Sequence, residues 1–401
     1  MSDSKDLSRR RLIGYGASVP LTAALGFTAA TGLDASEAQG APAQVPRRVL
    51  GKTKQSIPIL LVGGGAGFKG GVDPRIKLAL EHGANYIDTA RKYAGGASER
   101  NAGSALVKLK ARDNVWITSK TPQWSAAGLK QDVAFSLASL QTNRVDLYFL
   151  HGLDTLAPLN DKELIKSMEQ LKREKKIRFF GFSCHGGNVV ELLQAAAQRS
   201  FVDAVMFRYS FRDYGDKELN RAIDAAHKAG VGLIAMKTQG SESGFQDAWQ
   251  KFEQTGKWNK HQAVLKAVWA DERITAAVSH METTAQLREN LAAALDKKPL
   301  GQRETEAVRR YAELTRPYAC QGCDHLCNPQ VQAPVRIGTT LRCLTYHDSY
   351  GDSEKARRVF QELPVEAQQL TGVDFSGANR ACPHGIDVAA HMQRAADLFT
   401  V

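Results

Sequence analysis

The chain has 401 residues, 43% of them apolar, with 53 Lys and Arg against 42 Asp and Glu and a formal charge of +11. That length exceeds one small domain, and the apolar share is enough for a sizeable core. The basic residues are scattered through helical stretches rather than grouped with aromatics, so the charge reads as a solvated surface and no nucleic-acid partner is expected.

At the N-terminus, Ser8-Arg9-Arg10-Arg11-Leu12-Ile13 sets consecutive arginines before a weakly apolar stretch ending at Leu33, and Ala41-Pro42-Ala43 offers a small-residue cleavage site. Gly14, Gly16, Pro20, Gly26 and Gly32 make this a poor membrane helix. The segment resembles a twin-arginine signal peptide, which implies export of a folded protein, a periplasmic location and no stable membrane anchor after cleavage. Residues 1–43 are therefore expected to be removed.

From Arg47 onward, short β-branched or aromatic runs alternate with longer stretches of helical periodicity. The runs are Ile57–Val62, Asn85–Thr89, Val115–Ser119, Val145–Leu150, Arg178–Ser183, Ala204–Tyr209, Gly232–Met236 and Ala276–Ser279, with Lys162–Lys175 and Val189–Gln198 among the helices. Eight strands, each followed by a helix, predict an α/β fold: a (β/α)8 TIM barrel over residues 44–300. A doubly wound sheet is the alternative, but Gly63-Gly64-Gly65 lacks the spacing of a dinucleotide fingerprint. The interval from Thr238 to His261 reads as a loop with a short helix over the barrel mouth. Residues 301–401 form a small, mainly helical, cysteine-containing C-terminal module, with helices expected at Ser353–Gln361 and Val388–Phe399.

In such a barrel the chemistry sits at the carboxyl ends of the strands. Strand two ends Ile87-Asp88-Thr89-Ala90-Arg91-Lys92-Tyr93, strand three Thr118-Ser119-Lys120, and strand four Phe149-Leu150-His151. Carbonyl reduction needs a hydride on carbon and a proton on oxygen. A tyrosine is a sluggish acid near neutrality, an adjacent ammonium lowers its pKa, a carboxylate fixes the ammonium, and a neutral histidine can orient the carbonyl. Singly, each residue has a plain explanation as a cap or a solvated charge; four at matching strand ends do not.

The set resembles the catalytic tetrad of the aldo/keto reductase superfamily, with Asp88-Thr89-Ala90-x-x-Tyr93 carrying the match over roughly Val49–Leu295. The resemblance implies Tyr93 as general acid, Lys120 and Asp88 as its tuning pair and His151 as orienter. It also implies an NADP or NAD cofactor and a small carbonyl or alcohol substrate. Ser183, in Gly181-Phe182-Ser183, is implied as a nicotinamide contact, although Cys184-His185 stands where the family has Asn. Tyr209, in Phe207-Arg208-Tyr209-Ser210, is a second. Gln286, Glu289 and Asn290 match the adenine-contacting Gln-x-x-Glu-Asn pattern. The loop Ser279-His280-Met281 lacks an Arg or Lys for a 2′-phosphate, leaving NADPH and NADH both open, with His280 or Arg288 as substitutes. Cys184 reads as a small buried thiol.

The tail carries Cys320-Gln-Gly-Cys323-Asp-His-Leu-Cys327, then Cys343, then Cys382-Pro383. It resembles the ferredoxin-like extension of a subgroup of bacterial aldo/keto reductases. That implies a single 4Fe-4S cluster on Cys320, Cys323, Cys327 and Cys382, with Cys343 competing. Structural zinc and disulfides are rival readings of the same thiols. The function expected is nicotinamide-dependent interconversion of a carbonyl and an alcohol. The alternatives are a redox enzyme fed through its tail by a partner protein, and a non-catalytic binding or docking protein on a reductase fold.

Overall fold

The computed structural model describes residues 42–186, 188–239 and 257–400. Residues 1–41 of the segment expected to direct export, and most of the loop expected over the mouth, lie outside them. Arg47–Val49 (β1) and Ser56–Pro58 (β2) pair antiparallel and close the floor of the barrel. Leu50 and Ile57 are fully buried there, in the same cluster as the barrel interior. At Gly51 (φ +47) a Cβ would stand 2.2 Å from the Gly230 carbonyl oxygen, so only glycine lets the hairpin seat.

Eight strands form the closed barrel: Leu60–Gly63 (β3), Tyr86–Asp88 (β4), Trp116–Thr121 (β5), Val145–Leu150 (β6), Ile177–Cys184 (β7), Ala204–Arg208 (β8), Gly232–Met236 (β9) and Ala276–His280 (β10). All neighbours pair in parallel, and β10 closes onto β3. The expected strand Ile57–Val62 is divided, with its first two residues in the floor hairpin and its last three in β3. A continuous apolar run carries no mark of where one pairing stops and the next begins.

The helices Pro74–Glu81 (α1), Ala97–Lys108 (α2), Ala126–Ser139 (α3), Lys162–Arg173 (α4), Val189–Ala197 (α5), Lys217–Lys228 (α6), Lys260–Ala270 (α7) and Thr284–Leu295 (α8) form the outer layer. Their starts are set by local chemistry: Asp73 caps a helix opening on Pro74, Asp161 and Asp216 each accept two backbone N–H bonds, and Asn259–Gln262 forms a capping box.

Strand alternation divides the core. Leu61, Tyr86, Trp116, Leu147, Phe149, Met206 and Ile234 fill the barrel interior, while Ile87, Ile117, Tyr148, Phe182 and Phe207 face the helices. The tail begins with Gln302–Thr315 (α9), whose Val308 and Tyr311 join the barrel–helix core. Ile337–Asp348 (α10), Ser353–Gln361 (α11) and Val388–Phe399 (α12) then enclose a separate apolar cluster centred on Phe360, Met392 and Phe399. Among the described residues no helix is long and apolar enough to cross a membrane.

Candidate active site

The interior parity of each strand, continued past its last apolar residue, delivers the site. Tyr86 is followed by Asp88, Trp116 and Thr118 by Lys120, and Phe149 by His151. Lys120 Nζ donates to both Asp88 carboxylate oxygens at 2.7 Å and to the Thr89 carbonyl at 2.8 Å. The same ammonium lies 4.9 Å from the centre of the Tyr93 ring. Tyr93 is brought back over the mouth by a turn in which Ala94 and Gly95 hold φ +49 and +60. Its ring meets His151 edge-on at 5.4 Å between centroids.

Burial dominates the electrostatics. It lowers the pKa of the Lys120 ammonium against the pull of Asp88, which holds the charge in place. Burial, then the charges of Asp88 and Tyr346, push the Tyr93 phenol well above its ordinary value. The expected lowering by Lys120 is thus reversed, because desolvation of a tyrosinate outweighs one ammonium that is already paired. Burial, then Lys120, Lys92, Lys237 and Arg342, hold the His151 pKa well below the usual imidazole range, so the ring is neutral. Its Nδ1 is buried without a hydrogen-bond partner.

The residues implied as cofactor contacts are dispersed. Ser183 sits on the interior face of β7, where its Oγ accepts from the Gly152 N–H at 3.0 Å. Tyr209 does not reach the mouth. Met206 and Arg208 hold the interior parity of their strand, so Tyr209 turns outward with Phe207, and its hydroxyl donates to Asp271 at 2.6 Å. Gln286 closes a capping box with Thr283 at the start of α8. Glu289 accepts from Asn259 Nδ2 at 3.3 Å, and buried Asn290 bonds Ser279 Oγ at 3.0 Å and Gln239 at 3.1 Å. His280 pairs with Glu282 at 3.2 Å. Cys184 faces the helices, fully buried, and burial pushes its thiol up to about 12, the environment of an inert core cysteine.

The mouth also holds residues outside the tetrad. His185 continues the interior parity of Ser183, and its ring lies 6.1 Å from that of His151. Lys237 follows β9 and, at φ +60, bends towards the tail. Its Nζ donates to the hydroxyl of Tyr346 on α10 at 2.9 Å. Further contacts seat the tail on the barrel: Lys92 pairs with Glu362 at 3.2 Å, and Arg208 Nη2 donates to Gln321 at 2.9 Å. Lys237 was within reach of the rule that found Lys120, a lysine at a strand end; Tyr346 carried no local signal.

Cys320, Cys323, Cys327 and Cys382 line one small cavity, together with Ile337, Ile386 and Val388. Backbone N–H groups of Gly322 and Ile386 point at the sulfurs of Cys320 and Cys382, each at 3.4 Å. Cys343 is buried apart from that cavity, in the tail core, and all six cysteines are free thiols. Among the described residues, no three His, Cys, Asp or Glu side chains stand at metal-ligand spacing.

A closed parallel barrel with Asp88, Lys120, Tyr93 and His151 gathered at its mouth defines a (β/α)8-barrel protein. Residues 71–306 match the aldo/keto reductase family, and the chain belongs to it; the protein is an NAD(P)H-dependent oxidoreductase. It is 27% identical over 269 residues to the uncharacterized oxidoreductase YqkF of Bacillus subtilis, covering 59% of this chain and 85% of that protein. It is 38% identical over 110 residues to the methylglyoxal reductase YeaE of Escherichia coli, of which it spans 37%. In fold it is similar to the holo form of the aldo-keto reductase AKR11C1 from Bacillus halodurans, with a TM-score of 0.56, 24% identity, and 67% of this chain and 96% of that one covered. An aldo-keto reductase from Klebsiella pneumoniae in complex with NADPH is similar in the same way, at a TM-score of 0.53 and 24% identity over 67% of this chain and 95% of that one.

Proposed function

We propose that the protein reduces a small aldehyde or ketone, or runs the reverse reaction, with Tyr93 as the proton donor. The observation that carries this reading is the convergence of Lys120 on Asp88 at 2.7 Å and on the Tyr93 ring at 4.9 Å, with His151 edge-on to that ring. A nicotinamide bound at the mouth would supply the hydride for the carbonyl carbon. A neutral His151 orients the carbonyl oxygen, Tyr93 delivers its phenolic proton there, and Lys120, held by Asp88, stabilises the tyrosinate until solvent returns the proton. The buried, unpartnered Nδ1 atoms of His151 and His185, with Ser183 beside them, fit a polar ligand in the mouth. Tyr93→Phe tests the reading: carbonyl turnover should fall by about 10²–10⁴ while NADPH binding is retained. Unchanged turnover would refute the assignment.

We further propose that the chain comprises an export segment over residues 1–43, the barrel over 44–300 and a cysteine module over 301–401. Replacing Arg9, Arg10 and Arg11 with Lys should keep the protein out of the periplasmic fraction. For the module, the specific observation is that four cysteines from two distant segments share one cavity with N–H groups aimed at two of the sulfurs. Among the described residues no three of these thiols stand at metal-ligand spacing, so holding a single 4Fe-4S cluster, or zinc as the alternative for the same donors, would require them to close in around the cavity they share. A cluster there would give the enzyme an electron route to a redox partner protein. Iron and sulfide analysis of anaerobically purified protein distinguishes the two.

A further inference from the structure

The lip of the barrel carries more positive charge than the tetrad uses. Lys237 Nζ and Lys355 Nζ lie 4.7 and 4.6 Å from the centre of the same Tyr346 ring, and 5.9 and 5.6 Å from that of Tyr350. Arg342 stands one turn before Tyr346 on α10, half-buried, and among the described residues it has neither a hydrogen bond nor an ion pair. Its charge is felt at His151, His185 and Lys237. The neighbouring carboxylates do not neutralise the group: Asp352 faces Lys355, Asp324 is in reach of Arg342 without pairing to it, and Glu362 is taken by Lys92. Three half-buried cations grouped about one phenol repel one another unless an anion joins them. Lys237 also keeps a left-handed backbone that costs a non-glycine residue about 1 kcal/mol, a strain found where a side chain must be aimed.

We propose that Lys237, Arg342, Lys355 and Tyr346 form an oxyanion site at the mouth, built half by the barrel and half by the tail, which holds a carboxylate or phosphate of the ligand reduced or used there. The site rests on the reductase reading for its role, but not for its existence. The planar guanidinium offers a fork to two oxygens, the lysines supply point charges, and the Tyr346 hydroxyl can donate a further bond. The oxyanion has two sources, an acidic or phosphorylated carbonyl substrate and the phosphates of the cofactor.

The test uses the mature chain with its tail, as wild type, Arg342→Ala and Arg342→Lys. Calorimetric titration with inorganic phosphate should show saturable binding that weakens at least about tenfold in Arg342→Ala and recovers in part in Arg342→Lys, as loss of a charge-assisted bond requires. Equal affinity in all three, or no phosphate binding by wild type, overturns the site. Two arms then separate the sources. A raised KM for glyoxylate but not for neutral glyoxal, at unchanged NADPH affinity, assigns the oxyanion to the substrate. Weakened NADPH binding, with both KM values unchanged, assigns it to the cofactor. A wild type that binds phosphate yet turns over no carbonyl keeps the site and sinks the reductase reading.

Discussion

Tyr346, on a helix of the cysteine-bearing tail, accepts a hydrogen bond of 2.9 Å from Lys237 at the end of the seventh barrel strand, so the tail is a wall of the active site. The two groups polarise each other. Burial works against charge on both, yet Lys237 is raised, and Lys237, Arg342 and Lys355 together bring Tyr346 down to about 8.

The first prediction follows from that pairing. Tyr346 is faced by Lys237, Arg342 and Lys355, with the phenols of Tyr93 and Tyr350 as its other titratable neighbours. Its tyrosinate absorption should rise with a midpoint of about 8. Because the folded pKa is below that of a free tyrosine, about 10, the pair's stabilisation is complete above the unfolded value and is lost as pH falls through the folded one. Lys237→Met should move the midpoint upward; an unmoved midpoint would contradict the pairing.

Histidines give the second. His151 and His185 are held neutral, by burial first and by the surrounding cations second. An unfolded histidine takes up a proton near pH 6.5, so the unfolded state binds protons that the native state refuses, and stability should fall between about pH 7 and 5. Denaturant midpoints across that range should show the drop. His185→Asn should flatten it.

A third concerns the contact that seats the cysteine loop. Gly322 (φ +75) lies against Gly186, where a Cβ on Gly322 would stand 3.1 Å from the Gly186 Cα. Gly322→Ala should destabilise the docked tail by about 1–2 kcal/mol through the left-handed backbone alone. Protease susceptibility of the tail should rise before the barrel is affected.

The fourth separates the cysteines. Under the proposed metal site, Cys382→Ala should abolish metal binding by the tail, because its sulfur lines the shared cavity. Cys343→Ala should keep the metal and cost only core packing, since that thiol is buried elsewhere. Metal content per chain checks both.

What the sequence made legible was whatever strand parity governs. Asp88, Lys120 and His151 stand two residues beyond interior aromatic or threonine positions, and their convergence needs nothing but a barrel. Tyr209, implied by the family resemblance as a nicotinamide contact, follows the parity of Met206 and Arg208 outward, where its hydroxyl bonds Asp271. The helix Ile337–Asp348 left little trace, because Thr339, Thr340, Cys343 and Thr345 dilute its helical preference. Its meeting with Lys237 joins residues 109 positions apart, which no local pattern encodes.

The roof over the mouth has a temporal meaning. Chain synthesis completes Tyr93, Lys120, His151 and all eight barrel strands before α10 exists. Tyr346, which Lys237 bonds at 2.9 Å, is therefore added to a barrel whose strands have already been made. The mouth is thus shaped by two stretches of chain made at different times, the strand ends first and α10 after them.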